Sequence, residues 1–532
     1  MQDFLKLTTE ELNQLDKQAL IAIIVSLQQQ LDTISKQLGL LTEQIALMNQ
    51  RSFGRKTEQV DGQMEIPECF NEPEALSDAS PEPEITEVIV SSYTRKNKST
   101  REEKLEGLPA RIYDHRLSDE ELKERFPNGY KELPPEIYKR LSVIPATFLV
   151  DEHHVHVYAA KDNDGTIVKA NPPPSLFRNS IATPSLVGMS IAAKYANHMP
   201  LERQSKLFES NGIHLGTNTL ANWMMRSTEE YLTLVYDELK KQLIRDSRVI
   251  HADETHCNVT NDGRPAGSQS WMWVYRNGKC DAAHPIVIYD FQKTRRTDHP
   301  REFLEDYSGV LVTDGYQPYH TLDKQRDDLN VAGCWVHAKR KFAELVKAKS
   351  PNSLDGTVAS EAAKKISRIF QLDNKLDGLS KSERERQRRI TVKPAVDAFF
   401  TWAKSEITKV AAGGATYKGL QYCINQEKFL RVFLKNGDVP MDNNRAEQAI
   451  RPFTLGRKNW VMINTLRGAE TSAILYSLVE TARANNLRTY EYMTLLLEEL
   501  MKHADDTNLD FIQELLPWSE KVKSQCHSLK KT

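Results

Sequence analysis

Four short apolar runs between residues 248 and 315 constrain the fold of this 532-residue chain most strongly. They are rich in β-branched and aromatic residues and are punctuated by glycine or polar residues, a pattern typical of buried strands. Asn277-Gly278 favours a hairpin between the second and third runs, and residues 301–307 predict a short helix. We therefore expect three hairpin-connected strands, a helix, and a strand beside the first. The runs cover residues 248–254, 271–275, 285–289 and 309–315.

Three carboxylates are candidates for one site. Asp253 and Asp314 end the first and fourth predicted strands, where an acid points from a rigid scaffold into a cleft. Glu447 is the one acid among five basic residues between positions 445 and 467. An isolated acid in a basic strip is typical of a metal ligand that lies where phosphates pass. Taken singly, each aspartate is also compatible with a turn or cap residue, and Glu447 with a solvated helix residue.

Local patterns refine this assignment. Asp442 or an adjacent asparagine is expected to cap the helix that carries Glu447, and Pro452 to end or kink it near Arg451. Arg451 would lie one turn beyond Glu447 on the same face. Glu254 competes with Asp253, since adjacent strand side chains point to opposite faces and only one easily faces the cleft.

The chain resembles the insertion-sequence-66 family of DDE transposases, and the matching motifs occur in family order over most of its length. They are His251-Ala-Asp-Glu-Thr255, Leu311-Val-Thr-Asp-Gly-Tyr316, Cys334-Trp-Val-His337, Asp442-Asn-Asn-Arg-Ala-Glu-Gln-Ala-Ile-Arg-Pro452 and Gly456-Arg-Lys-Asn-Trp460. The resemblance implies an RNase H-like core in which Asp253, Asp314 and Glu447 are the catalytic acids, and it favours Asp253 over Glu254.

The resemblance also implies a metal-dependent reaction on double-stranded DNA. Two Mg²⁺ or Mn²⁺ ions about 4 Å apart clamp the attacking and leaving oxygens of a phosphodiester, and Mg²⁺ prefers carboxylate oxygens. Arg451, Arg457 and Lys458 would hold phosphates. Lys339 and Arg340 are either phosphate contacts or a solvated helix face. The other predicted DNA contacts are Arg295, Arg296, Asn222 and Arg226.

Cys334 and His337 form a Cys-x-x-His pair, which resembles half of a zinc site. No second pair at metal spacing follows, so the sequence disfavours zinc here. One alternative is packing at the start of a helix after a buried strand. The other follows from the resemblance, in which His337 contacts the scissile phosphate or assists proton transfer.

The predicted fold class is α/β, with an RNase H-like catalytic core at residues 246–475 that contains a helical insertion at about 343–430. An N-terminal coiled coil and helical regions flank this core. The remaining predicted segments are a helical or coiled-coil region (1–56), an acidic then basic linker (57–104), a zinc-finger-like module that lacks cysteines and structural zinc (105–175), a helical region (176–245) and a C-terminal helical region (476–532). Residues 201–226 fit a helix-turn-helix or any helical hairpin, with Thr217 as a cap.

A heptad pattern marks the N-terminal region, where apolar residues alternate by three and four positions. The pattern favours a coiled coil that joins two or more chains, although an amphipathic helix packed on its own domain is an alternative. The basic motif Arg51–Lys56 follows it. The heptad residues are Ile24, Leu27, Leu31, Ile34, Leu38, Leu41, Ile45 and Met48.

The net charge of −2 conceals an uneven distribution. Residues 58–87 contain ten acids and no Lys or Arg, and without them the net charge becomes +8. The scattered cysteines, the polar N-terminus and the absence of a long apolar run predict a cytoplasmic, nucleoid-associated protein without a membrane segment.

The predicted function is that of a DNA transposase, assembled as a homo-oligomer through residues 24–48, with accessory proteins of the element as further partners. It would bind terminal inverted repeats, cleave them by metal-assisted hydrolysis and join the 3′-hydroxyl ends to target DNA. Alternatives are an RNase H-like nuclease without strand transfer and a domesticated, non-catalytic DNA-binding protein.

Overall fold

The computed structural model describes residues 16–53, 148–159, 167–171, 173–265, 267–281, 283–348 and 357–528. Residues 64–172 form a separate unit, and its described part contains an antiparallel pair, β1 (Val157–Ala159) with β2 (Ile167–Lys169). The predicted linker and most of the zinc-finger-like module lie outside the described residues. So do the side chains of the basic motif at 51–56.

A five-stranded mixed sheet forms the centre of the main unit. Its strands are β3 (Val249–Cys257), β5 (Ser270–Asn277), β6 (Val287–Gln292), β7 (Gly309–Thr313) and β8 (Leu329–Gly333). They lie in the order β6-β5-β3-β7-β8. The first three are antiparallel neighbours, while β7 runs parallel to β3, and β8 parallel to β7. The predicted position of the fourth strand beside the first is confirmed, and β8 extends the sheet beyond the prediction.

The predicted hairpin between β5 and β6 is confirmed, but its connection is longer than a two-residue turn. It spans residues 278–286 and includes a 3₁₀ turn, Lys279–Asp281. The Asn277 side chain closes this loop, because it donates to the His284 carbonyl (2.7 Å) and accepts from the Ile286 amide (2.9 Å). A further parallel pair joins β4 (Val259–Asn261) to β9 (Ile463–Thr465).

Among the residues that the structure describes before the sheet, the α-helices are α1 (Lys17–Phe53), α2 (Pro184–Tyr195), α3 (Leu201–Ser210), α4 (Thr217–Ser227) and α5 (Thr233–Asp246). The predicted helical hairpin is present as α3 and α4. Thr217 does not cap α4, however: Gly216 is the N-cap residue, without a side-chain hydrogen bond, and Thr217 is the first helical residue. Among the described residues, no helix is both long and apolar enough to cross a membrane.

Helix α1 docks on the main unit through one face. The Glu43 carboxylate accepts hydrogen bonds from the backbone amides of Ala415 (3.1 Å) and Thr416 (3.4 Å). These amides begin another helix. The Glu43 carboxylate therefore accepts hydrogen bonds from N–H groups that have no partner within that helix, and it interacts favourably with the positive end of the helix dipole.

Two short helices connect strands of the sheet: α6 (Asp298–Phe303) lies between β6 and β7, and α7 (Gln317–Gln325) between β7 and β8. Helices dominate the described residues between β8 and Glu447. They are α8 (Trp335–Ala348), α9 (Val358–Asn374), α10 (Lys381–Gln387), α11 (Lys393–Glu406), α12 (Ala415–Asn425) and α13 (Glu427–Leu430). The buried Trp335 ring packs edge-on against Phe399 and Phe433. Fully buried Arg388 pairs with Asp373 at 2.6 Å and donates to three backbone carbonyls, so its charge is compensated.

Four helices complete the unit: α14 (Asn444–Trp460), α15 (Leu466–Ala484), α16 (Thr489–Lys502) and α17 (Glu520–Gln525). The expected helix end near Arg451 is wrong, because α14 continues through Pro452 to Trp460. Helix α15 covers edge strand β6, whose Val287 and Tyr289 amides donate to the hydroxyls of Thr481 (3.0 Å) and Ser477 (2.7 Å). These hydroxyls of α15 thereby accept from backbone N–H groups that would otherwise lack a partner at the edge of the sheet.

Candidate active site

The pairing of β3 with β7 brings two of the predicted acids to the same end of the sheet. His251 on β3 pairs with Val312 on β7. Since the strands are parallel, Asp253 and Asp314 each lie two residues further in the same direction. Asp253 is still within β3, whereas Asp314 is the first residue after β7.

A tight turn fixes Asp314. Its Oδ1 atom accepts from the Tyr316 amide (3.1 Å), and its carbonyl accepts from the Tyr422 hydroxyl (2.8 Å). Gly315 has a φ of 99°, and a Cβ atom there would lie 3.0 Å from the Tyr422 hydroxyl. Glycine is therefore favoured at position 315 for two reasons: it adopts the left-handed backbone conformation without strain, and it has no Cβ atom to crowd Tyr422 of α12.

Asn443 links β3 to the start of α14, the helix that carries the third acid. This fully buried side chain donates to the Ala252 carbonyl (2.8 Å), and its Oδ1 atom lies 3.0 Å from His251 Nδ1. The amide oxygen must accept, so His251 donates from Nδ1. Burial lowers the pKa of His251 to about 3, which keeps the imidazole neutral. Asn443 thus holds the start of α14 against the residue before Asp253.

Glu447 lies one turn into α14. Of the predicted cap residues, Asn443 is the N-cap residue but makes no side-chain cap hydrogen bond, and Asp442 precedes it, with its Oδ1 atom accepting from the Asn444 amide (3.0 Å). The Glu447 side chain is 20% exposed and lies 3.6 Å from His337 Nδ1 and 3.4 Å from an Arg340 nitrogen. Arg340 also donates to His337 Nε2 at 3.3 Å. Glu447 therefore meets an imidazole and a guanidinium from α8.

The acids influence one another electrostatically. Burial raises the pKa of Asp253 well above its usual range, and the negative charges of Glu254, Asp314 and Glu447 raise it further. The charges of these acids thus act on Asp253, although the ligand atoms of Asp253, Asp314 and Glu447 do not all lie within 4.8 Å of one another. A carboxylate in such surroundings is stabilised by a cation or by a bound proton.

Glu254 has a partner of its own. Its carboxylate pairs with Arg295, with one nitrogen at 3.1 Å, and lies 3.5 Å from the Tyr319 hydroxyl. Burial raises the pKa of Glu254 to about 7, although the Arg295 hydrogen bonds act in the opposite direction. Arg295 lies 3.7 Å from the centre of the Tyr316 ring. Its guanidinium is thus occupied by Glu254 and an aromatic face.

The remaining predicted phosphate contacts differ in accessibility. Arg296 and Lys458 are exposed, while Lys339 and Arg451 are half-buried. Burial lowers the pKa of Lys339. Arg457 donates to the Thr255 hydroxyl (3.1 Å) and to the His256 carbonyl, so it ties α14 to β3.

The two predicted DNA contacts on α4 also differ. Asn222 is exposed. Arg226 pairs with Glu230 at 2.7 Å, and its guanidinium lies 4.2 Å from the centre of the Phe177 ring. Both residues lie on the second helix of the helical hairpin.

Sequence reasoning did not identify three contacts that organise the site. Asn443 was recognised as part of the helix entry, but not as the link to β3. The pairing of Glu254 with Arg295 and the support of Asp314 by Tyr422 were also missed. The position of Asn443 beside the motif residue Asp442 was the available signal in the sequence. Nothing around His251 and Ala252, about 190 positions earlier, indicated that they contact Asn443.

Comparison with known proteins identifies the family. A family model described as "Transposase IS66 family" matches residues 179–471, more than half of the chain. The chain belongs to this family. The IS66 C-terminal element matches residues 477–518, and a model described as "Transposase C of IS166 homeodomain" matches residues 40–112. The family assignment establishes a transposase role for the chain and includes a homeodomain-like DNA-binding region.

Three proteins of Sinorhizobium fredii (strain NBRC 101917 / NGR234) are similar to the chain. Uncharacterized protein y4hP is 28% identical over 410 residues, which cover 74% of this chain and 72% of the relative. Uncharacterized protein y4qI is 28% identical over 72% of this chain and 71% of its own length. Uncharacterized protein y4jD is also 28% identical, over 72% of this chain and 75% of the relative.

Proposed function

We propose that this transposase binds the terminal inverted repeats of its element, cleaves them by metal-assisted hydrolysis and joins the released 3′-hydroxyls to target DNA. The observation that carries the proposal is that Asp253 and Asp314 lie at the same end of the neighbouring strands β3 and β7, while Asn443 ties the start of α14, which carries Glu447, to β3. Glu254 is held by Arg295, which favours Asp253 as the acid that faces the substrate.

The strand order supports an RNase H-like core. Three antiparallel strands are followed by a strand parallel to the first and by a fifth strand parallel to the fourth. Two acids at one end of neighbouring strands and one acid on a later helix fit this arrangement. The helical segment between β8 and α14 would be an insertion that helps to grip the transposon ends.

The three acids fit divalent metals such as Mg²⁺ or Mn²⁺. Their donors are oxygens, which these hard cations prefer. The pKa of Asp253, raised by burial and by the other acids, indicates a site in which positive charge is stabilising. When bound, two such ions would activate the attacking oxygen and neutralise charge on the scissile phosphate. Asp253, Asp314 and Glu447 would hold them.

Neighbouring residues would orient the acids and the DNA. Arg340 contacts both Glu447 and His337, so it would orient these two side chains. His337 would transfer protons during cleavage. Among the proposed phosphate contacts, Arg296, Arg340 and Lys458 are exposed. Asn222 on α4 would contact DNA separately, as part of a helix-turn-helix.

The N-terminal helix supports assembly of more than one copy. All eight heptad residues of α1 are between 41% and 67% exposed, which leaves an apolar stripe available to another chain. We include a homo-oligomer in the proposal, acting on the bacterial nucleoid with any accessory proteins that the element encodes.

The experiment uses purified full-length protein, labelled DNA that carries the element's ends, and Mg²⁺. The proposal predicts nicking at the element end, and joining of precut 3′-hydroxyl ends to target DNA. Chelation of the metal should abolish both reactions. Nicking without joining would instead identify a nuclease, and specific binding without nicking would identify a non-catalytic DNA-binding protein.

A further inference from the structure

Cys334, His337 and Glu447 form a cluster beside the carboxylates. One potential ligand atom from each residue lies within 4.8 Å of the others. Cys334 immediately precedes α8, His337 lies in its first turn, and Glu447 approaches from α14. The third residue, which the Cys-x-x-His pair lacks in sequence, therefore comes from a distant helix.

The donors of this cluster differ chemically from those of the three acids. Thiolate and imidazole are poor ligands for Mg²⁺, whereas a sulfur, nitrogen and oxygen set suits Zn²⁺. The backbone N–H of Asn443 donates to Cys334 Sγ at 3.3 Å. The N-terminus of α8, next to Cys334, also favours a negative charge. Both features favour a thiolate, but burial outweighs them and raises the pKa of the Cys334 thiol to about 12, so the thiolate forms only when a cation binds the sulfur.

Two other atoms of the cluster lack hydrogen-bond partners within the part of the chain that the structure describes. They are His337 Nδ1 and Glu447 Oε1, which are buried and lie 3.6 Å apart. A cation bound between them would satisfy both atoms. Arg340, which contacts His337 and Glu447 here, is 46% exposed and has room to move towards solvent.

We propose that Cys334, His337 and Glu447 bind a thiophilic divalent cation such as Zn²⁺, in a site that shares Glu447 with the proposed magnesium set. On binding, the Cys334 thiol releases its proton to solvent as the metal–sulfur bond forms. Arg340 moves away from Nε2, the His337 proton shifts through solvent from Nδ1 to Nε2, and His337 binds the cation through Nδ1. The regulatory part of this inference rests on the proposed function: zinc withdraws Glu447 from the magnesium set and inhibits DNA cleavage.

The direct test uses Co²⁺ as a spectroscopic probe of the full-length protein. A thiolate ligand gives a sulfur-to-cobalt charge-transfer band in the near ultraviolet, which carboxylate ligands do not give. We expect this band at one equivalent of Co²⁺, and its displacement by Zn²⁺. Cys334→Ser should abolish the band, whereas Cys423→Ala, which alters another buried cysteine, and Asp253→Asn should retain it. Circular dichroism verifies that each variant is folded.

Cleavage assays test the regulatory part. Zn²⁺ added in the presence of Mg²⁺ should inhibit the wild type, and Cys334→Ser should need at least ~10-fold more Zn²⁺ for the same inhibition. Absence of the cobalt band from the wild type, or its persistence in Cys334→Ser, would overturn the proposed site. The band requires no DNA cleavage, so a band in a protein that does not cleave DNA would support the site while contradicting the proposed function. Equal inhibition of wild type and Cys334→Ser would overturn the regulatory part.

Discussion

At the residue scale, Asp253 is held in surroundings that oppose its charge when no metal is bound. Burial and three neighbouring acids raise its pKa. We expect Asp253→Asn to increase the free energy of unfolding without metal by on the order of 1 kcal/mol, because it removes a buried like-charge repulsion. Urea denaturation in the presence of a chelator measures this change. Glu470→Gln, at an exposed acid on α15, is the control and should leave stability nearly unchanged.

The difference in the free energy of unfolding between Asp253→Asn and the wild type depends on pH. Because the folded-state pKa of Asp253 is raised, the folded protein binds more protons than the unfolded chain above the ordinary carboxyl pKa of about 4. The stability contributed by the protonated acid is therefore lost as the pH rises towards the folded-state pKa. The advantage of Asp253→Asn should grow with pH over this window. A constant advantage, or a variant less stable than the wild type, would contradict the electrostatic account.

Asn443 is expected to position the metal-binding acids. Asn443→Ala leaves the Ala252 carbonyl and His251 Nδ1 without their buried partner, which should cost roughly 2–4 kcal/mol of stability. We also expect roughly a 10-fold increase in the Mg²⁺ concentration that gives half-maximal cleavage, since the link between β3 and α14 is lost. The neighbouring Asn444→Ala should change neither quantity appreciably. A loss of stability with unchanged Mg²⁺ dependence would show that Asn443 has only a structural role.

At the element scale, Glu43 attaches α1 to the N-terminus of α12. Glu43→Ala should lower the free energy of unfolding by about 1 kcal/mol and speed hydrogen exchange at the Ala415 and Thr416 amides, because these donors lose their acceptor. Asp32→Ala is the matched control, since Asp32 pairs with Lys36 on the exposed surface of α1 and should contribute little. Equal effects of the two substitutions would contradict the capping role of Glu43.

Elements with a strong local pattern were predictable from the sequence. Strands β3 and β7 are apolar and β-branched, and the hairpin and the α3–α4 pair follow from residues close in sequence. Strand β8 has no comparable pattern, and it is stabilised by its pairing with β7. Helix α14 passes through Pro452 because packing of Ala449 and Phe453 in the core outweighs one lost backbone hydrogen bond.

The predictable part of the site was the identity of the acids, because they occur within recognisable motifs. Their supporting contacts were not predictable, since they join residues more than 100 positions apart. Examples are His251 with Asn443 and Tyr422 with Asp314. The Cys334, His337 and Glu447 cluster was missed for the same physical reason: only the contact between the chain at the start of α8 and the chain at the start of α14 brings its third residue into place.

At the scale of the whole molecule, α1 presents two different faces. Glu43 lies on the face that docks on the main unit, opposite the exposed heptad stripe. We expect Leu31→Lys with Leu38→Lys to convert the oligomer into a monomer without unfolding it, because charges would enter the apolar seam. Sedimentation velocity measures the change. Gln29→Lys with Thr33→Lys adds the same charges at exposed positions off the stripe and should leave the oligomer intact. A wild-type monomer would contradict assembly through α1.

The central claim is that Asp253, Asp314 and Glu447 act together in metal-dependent DNA cleavage. The most direct measurement is the rate at which Asp253→Asn, Asp314→Asn and Glu447→Gln nick DNA that carries the element's ends, compared with wild type and Glu470→Gln. Each of the three substitutions should reduce the rate by ~100-fold or more, beyond the cost expected for a supporting residue, while Glu470→Gln retains the wild-type rate. Cleavage at the wild-type rate by any of the three folded variants would contradict the account.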